Sequence, residues 1–320
     1  MLHLRLIVPA EKTDDVVRLI DGTVGTAHVV VMPGVAREPA GDVVTCDVAR
    51  EAGDELLNGL QRLGIEECGS IAVDNIDLLL SERAVRAEKD APGEPADAVL
   101  WEHLVEETHE ESTLSVTYLS FITLATMIAA CGVVLDNAIL IVGAMAVGPE
   151  FGPLTGISTS VVQRRPRLAL RSLIALLVGF ALAMAVTVVF SLLMDAGGLF
   201  TEAGLEGERP QTGFVYAPDA FSFVVAVLAG IAGTLSLTSA KSGALVGVAI
   251  SVTTIPAAAN AAVALSYGDM AQTAGSSKQL LLNLFGITVA GTTTLLLQKW
   301  LWAKQRRRMH VPVTGRSGRP

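Results

Sequence analysis

The chain has 320 residues, is 51% hydrophobic with a mean hydropathy of +0.52, and carries only 17% charged residues; it is too apolar for an ordinary soluble globule, and disorder is excluded. Its net charge of −9 averages two unlike halves: residues 1–112 hold 9 basic and 24 acidic side chains, net −15, and residues 113–320 hold 14 and 8, net +6. So acidic a front half argues against nucleic acid as a partner, and the charge step predicts a boundary near Ser112, in keeping with the roughly two domains this length suggests.

The first residues reach Glu11, Lys12, Asp14 and Asp15 too soon for the apolar core of a secretory signal, so the front half is expected to stay in the cytoplasm. Apolar alternation predicts a strand at His3–Pro9, and helical spacing predicts a helix over Thr13–Val24. Strands follow at Ala27–Met32 and Asp42–Val48, then a helix at Asp54–Leu63 and a strand at Ser70–Leu80. This β-α-β-β-α-β order predicts an α+β, ferredoxin-like cytoplasmic domain over residues 1–81. Residues 82–112 read as a linker, rich in Glu, Arg, Ala and Pro, followed by an acidic pre-membrane helix at Asp97–Glu111.

Beyond it, residues 113–303 predict a polytopic α-helical membrane domain. Apolar segments near bilayer-spanning length fall at 115–135, 138–161, 168–194, 220–240, 243–266 and 279–302, leaving a basic tail at 304–320. Arg164, Arg165, Arg167, Arg171, Lys241, Lys304, Arg306, Arg307 and Arg308 mark one set of loops. The other set holds mostly Asp and Glu, so the positive-inside bias puts both termini in the cytoplasm, as expected for the inner (plasma) membrane.

The second span is interrupted by Pro149, Glu150 and Pro153, and the fifth by Pro256, which predicts broken helices. An ionisable group at membrane depth is by default a functional hypothesis: Glu150 is a candidate proton carrier or cation ligand, or else reaches water or pairs with Arg164 or Arg165. Leu140-x-x-x-Ala144-x-Ala146-Val147 echoes Leu245-x-x-x-Ala249-x-Ser251-Val252, which suggests a 3+3 inverted repeat of the kind that places transporter sites where broken helices meet. Thr253, Thr254 and Asn260 flank the second break as uncharged polar ligands, and Ser236, Thr238, Ser239, Lys241 and Ser242 form a polar turn. For the hydroxyls, bonding back to the preceding helical turn is the competing reading. Asp136 and Asn137 form an outer hairpin between the first two spans, where helix capping is the simplest role.

Cys46, Cys68 and Cys131 form no C-x-x-C pair, so neither a disulfide framework nor a zinc site is expected. No phosphate-binding loop, G-x-S-x-G or H-E-x-x-H occurs, and His3, His28 and His310 stand apart in sequence. Neither an enzyme, a metal nor a cofactor is therefore expected.

The run Leu135-Asp-Asn-Ala-Ile-Leu-Ile-Val-Gly-Ala-Met-Ala-Val-Gly-Pro-Glu-Phe-Gly-Pro-Leu154 and the later Leu235-Ser-Leu-Thr-Ser-Ala-Lys-Ser-Gly-Ala-Leu-Val-Gly-Val-Ala-Ile250 resemble the signature stretches of the bacterial and archaeal membrane family called domain of unknown function 389. The resemblance spans about residues 110–300 and implies a membrane protein, often with an N-terminal ferredoxin-like extension, but no reaction. Two functional readings stay open. One is a transporter or channel for an ion or small solute, gated by the cytoplasmic domain. The other is a membrane sensor or scaffold whose cytoplasmic domain binds a small ligand such as a nucleotide. The bilayer is a partner in both, and small-residue helix faces together with exposed sheet edges predict a homo-oligomer.

Overall fold

The structure, a computed structural model, describes residues 1–76, 78–91, 93, 98–207, 209–215, 220–239 and 253–309. It divides into two compact units, Met1–Glu102 with the segment from Leu301 onward, and His103–Trp300.

The first unit is built on a small antiparallel sheet of β1 (Leu2–Val8), β2 (Thr26–Arg37), β3 (Ala40–Val48) and β4 (Ser70–Asn75) in the order β2-β3-β1-β4. Strand alternation sends Leu2, Leu4, Leu6 and Val8 to one face with Val44, Cys46 and Val48. There they pack with Val16 and Ile20 of α1 (Thr13–Asp21) and with Leu56 and Leu60 of α2 (Arg50–Arg62). A single-turn helix, α3 (Ile65–Cys68), leads into β4. The opposite face presents His3 and Asp47, paired across β1 and β3.

This unit departs from the sequence expectations in two places. β2 runs to Arg37 rather than ending at Met32, and includes Pro33; as an edge strand it tolerates the missing donor. β4 stops at Asn75, and α4 (Glu82–Asp90) occupies part of the expected linker. Ser81 caps it, its Oγ accepting from Ala84 N, while Ala84 and Ala87 are buried on its inner side, where the helix lies against β2 and β3.

The second unit is helical. α5 (Trp101–Glu111) precedes α6 (Val116–Val134), and a tight turn leads to α7 (Ala138–Val147) and α8 (Phe151–Gln163). Then come α9 (Pro166–Ala196), a short α10 (Glu202–Glu206), α11 (Ala220–Thr238), α12 (Thr254–Ser266) and α13 (Met270–Met309). Four of these, α6, α9, α11 and α13, are long and apolar enough to cross a membrane, and α7 with α8 makes a fifth candidate span bent by 50°. Their outward side chains, Leu124, Leu177, Val189 and Leu281 among them, are exposed hydrocarbon, as suits a multi-pass membrane protein.

Of the expected fifth span, residues 243–252 lie outside the described residues, together with the echo motif at 245–252. Its remainder is α12, 13 residues long, or about 20 Å at 1.5 Å per residue, short of the hydrocarbon thickness of about 30 Å. Every α12 residue from Thr254 to Ala264 is buried. A helix covered on all sides must be thin, and its alanines let α6, α7 and α9 approach closely. The last helix begins at Met270, not near 279, because Asp269 Oδ1 accepts from Ala271 N and Gln272 N and so caps it.

One close approach in the first unit is directly testable. A Cβ on Gly69 would lie 2.0 Å from the Ile7 carbonyl oxygen, a backbone atom held within the sheet. Gly69→Ala should cost about 1–3 kcal/mol, read as a lowered thermal unfolding midpoint with the far-ultraviolet spectrum of the remaining folded protein unchanged.

Candidate functional site

The break in the second span is where the membrane unit places its buried carboxylate. α7 ends at Val147, Gly148 turns out of helical conformation, and α8 restarts at Phe151 with Glu150 as its N-cap. Pro153 falls in the first turn of α8, where a missing N–H costs least. Glu150 is 4% exposed. Its Oε1 accepts a 2.6 Å hydrogen bond from Thr254 Oγ1, and its Oε2 has no hydrogen-bond partner among the described residues. Thr254 is the first residue of α12, so the N-terminal ends of two half-helices meet at one carboxylate. Each end carries roughly half a positive charge, which offsets part of the cost of holding an anion there. Gly148 makes the room: a Cβ on it would lie 2.4 Å from Glu150 Oε2.

A polar face of α13 continues the site. Thr253 Oγ1 accepts from Asn283 Nδ2 at 2.8 Å and, more weakly, from Gln279 Nε2 at 3.5 Å. Asn260, one of the expected ligands, donates through Nδ2 to Ser276 Oγ and accepts at Oδ1 from Arg209 Nη1, both at 2.7 Å. Arg209 also donates to Gln272 Oε1 at 2.7 Å. Gln272, Ser276, Gln279 and Asn283 recur at intervals of four, three and four, which puts them on one helix face. The stretch covers about 16 Å at 1.5 Å per residue. This stripe and the 7% exposed Arg209 were absent from the sequence expectations. The four-three-four spacing is a helical signal, but residues 272–278 fall outside the apolar segments that mark the expected spans.

The other expected residues sort differently. Pro149 lies in the break between α7 and α8, and Pro153 and Pro256 stand at the third position of α8 and α12, whereas Glu150, Thr253, Thr254 and Asn260 are drawn into polar contacts. Glu150 meets Thr254, with no ion pair to Arg164 or Arg165 among the described residues. Thr238 and Ser239 bond back along α11, to Thr234 and Ser236 carbonyls, and Thr238 also accepts from Gln298 Nε2; Ser236 is buried beside them. Lys241 and Ser242 lie outside the described residues. Asn137 caps α7 through Ile139 N and Leu140 N. Asp136 instead accepts from Gln211 N, Thr212 N and Thr212 Oγ1, tying down the segment that carries Arg209. His3 and His28, apart in sequence, are brought together on Asp47.

Comparison with known proteins bears on this unit. Residues 145–289 are similar to the family model described as a domain of unknown function, DUF389. The DUF389 match therefore takes in the break, Glu150, α12 and the polar stripe of α13. An uncharacterized protein of Methanocaldococcus jannaschii is 24% identical over 229 residues, covering 70% of this chain and 68% of that protein. No solved structure matches the chain.

A groove of about 360 Å³ reaches the break from the α5–α6 turn, lined by Glu110, Glu111, Thr113, Tyr118, Gly148, Pro149 and Gly152 among others. Glu111 lies outside the spans with its carboxylate packed over Gly152. Loss of water there, and the charge of Glu107, push its pKa up to about 7 from an ordinary 4.5. The folded protein thus holds this proton more tightly than the unfolded chain, so the contribution of Glu111 to stability falls as pH rises from about 4.5 to about 7 and does not change beyond. Glu111→Gln should remove that slope from the unfolding midpoint measured against pH.

Thr254→Val would remove the side-chain hydroxyl that donates to Glu150. An unfolding measurement in detergent should register a loss of about 1–3 kcal/mol.

Proposed function

We propose that the membrane unit carries a small ion or solute across the bilayer, at a site centred on Glu150 and completed by Thr253, Thr254, Gln279 and Asn283. The observation that carries this reading is the buried carboxylate held between two half-helix ends with one oxygen open. Burying an ionisable group in a bundle is costly, and broken helices meeting near the middle of a bundle are the arrangement from which secondary transporters build their sites.

Two further features support it. α8 and α12 are each 13 residues long and each has proline at its third position, Pro153 and Pro256. Each is followed by a long span, which is what a 3+3 inverted repeat of six spans requires. Arg164, Arg165, Arg167 and Arg171 line one groove of about 970 Å³ with His109 and Thr113, and this basic end is the cytoplasmic one under the positive-inside rule. In this reading the protein sits in the inner (plasma) membrane with both termini in the cytoplasm, and the N-terminal unit, with its ferredoxin-like strand order, is a cytosolic domain.

Reconstitution tests the proposal. Proteoliposomes loaded with ion- and pH-sensitive dyes should show flux above that of protein-free vesicles for at least one member of a panel of alkali cations, protons, halides and small organic acids. Glu150→Gln should lower that flux at least tenfold while leaving reconstitution yield unchanged. Wild-type flux equal to that of empty vesicles across the panel, or a Glu150→Gln protein as fast as wild type, overturns the reading.

A further inference from the structure

The polar face of the first unit's sheet holds an arrangement that no sequence motif announced. Asp47, 6% exposed on β3, accepts at Oδ2 from His28 Nδ1 at 2.7 Å and at Oδ1 from His3 Nδ1 at 2.7 Å. The other ring nitrogen of His28, Nε2, stands 2.8 Å from Ser81 Oγ. Partner chemistry sets the tautomer: a carboxylate only accepts, so Nδ1 carries the proton and Nε2 of the neutral ring is the acceptor. The Ser81 oxygen in turn accepts from Ala84 N at 3.4 Å, which leaves its own proton directed to Nε2. His28 is placed by an irregularity in β2, where the pairing with β3 shifts between Ala27 and Val30 and His28 takes φ +50°. Ser81 opens α4, whose first-turn N–H groups lack helical acceptors, and it lines an open groove of about 560 Å³ with Leu79, Leu80 and Val85.

We propose that Ser81, His28 and Asp47 form a nucleophile, a base and an orienting carboxylate that hydrolyse carboxylic esters bearing a small apolar acyl group. The relation among the three side chains is that of serine hydrolases, which is recognised by geometry and role rather than by sequence position. Ser81 Oγ attacks the ester carbonyl carbon as its proton passes to His28 Nε2, and Asp47 holds the resulting imidazolium. First-turn N–H groups of α4 are the donors at hand for the oxyanion. Collapse breaks the bond to the leaving alkoxide, which takes the proton from His28. Water then adds to the acyl-serine, giving one proton to His28 and through it to Ser81 Oγ, and the carboxylic acid leaves. Leu79, Leu80 and Val85 supply the apolar wall for the acyl group. Ser81 and His28 are the catalytic residues, and Asp47 is a positioning residue.

The test uses the full-length protein in detergent with a fluorophosphonate probe and with p-nitrophenyl acetate and butyrate. Wild type should carry the phosphonyl adduct on Ser81 by tandem mass spectrometry, and Ser81→Ala should carry none. His28→Asn, chosen because asparagine tolerates a positive φ, should slow labelling and ester turnover by about 10²–10⁴-fold. Asp47→Asn should lower kcat for p-nitrophenyl butyrate with KM unchanged, since Asp47 orients His28 without touching substrate; a merely structural role would move both. Absence of an adduct on Ser81 under conditions that label a reference serine hydrolase overturns the proposal. So does labelling that His28→Asn leaves unchanged in a variant whose circular dichroism matches wild type. Neither outcome bears on the transport reading, which concerns the other unit.

Discussion

A carboxylate inside an apolar bundle must find its electrostatic compensation within the protein, because no water is at hand to supply it. In the membrane unit that requirement falls on Glu150 and shapes what surrounds it. The second span breaks at 148–150 so that Glu150 sits at a helix N-terminus. A second helix begins at Thr254 so that its hydroxyl and its positive end face the same carboxylate. Gly148 leaves space for the carboxylate because any side chain there would collide with it. α12 can be buried on every side because it is made largely of alanine. What lies beyond Glu150 is also polar and internally bonded, from Thr253 and Asn283 to Asn260, Ser276 and Arg209. Polar groups buried in a bundle are tolerated when they bond to one another.

The first unit solves a different problem. Its sheet buries one face under α1 and α2 with aliphatic side chains, while the other face keeps His3, His28 and Asp47 beside Ser81 at the start of α4. Here Asp47 is buried while His3, His28 and Ser81 are partly exposed, and directed hydrogen bonds fix their geometry. The two units therefore hold their chemically interesting groups by separate physical means: field and burial in one, directed hydrogen bonds along a strand face in the other.

How much of this was legible in the sequence follows from the range of each interaction. Periodicities of 2 and 3.6 are local, so the strands of the first unit and the long apolar helices of the second could be read from Leu2, Leu4 and Leu6 or from the run 168–194. Capping is local as well, so the Asn137 cap on α7 is legible from its place beside the turn. Ser81, by contrast, hid inside what read as a strand and linker. The Asp269 cap is hidden because the helix it opens starts Met270-Ala-Gln-Thr-Ala-Gly-Ser-Ser277, polar enough to resemble a loop. Glu150 was legible as an anomaly, a charge between two prolines in apolar sequence, but its partner lies 104 positions away.

Composition and periodicity by themselves determined that an acidic front part is followed by long apolar helices, and that the second of the apolar segments is interrupted at Pro149 and Glu150. They did so because hydrophobicity and backbone restriction act over a few residues at a time. Only the tertiary structure decided that Glu150 meets Thr254 rather than an arginine, that Arg209 reaches inward to Asn260, and that two isolated histidines share Asp47 with one of them on Ser81. Those pairings depend on which helix ends and strand faces are brought within about 3 Å, the reach of a hydrogen bond, and that is settled by packing and not by spacing along the chain.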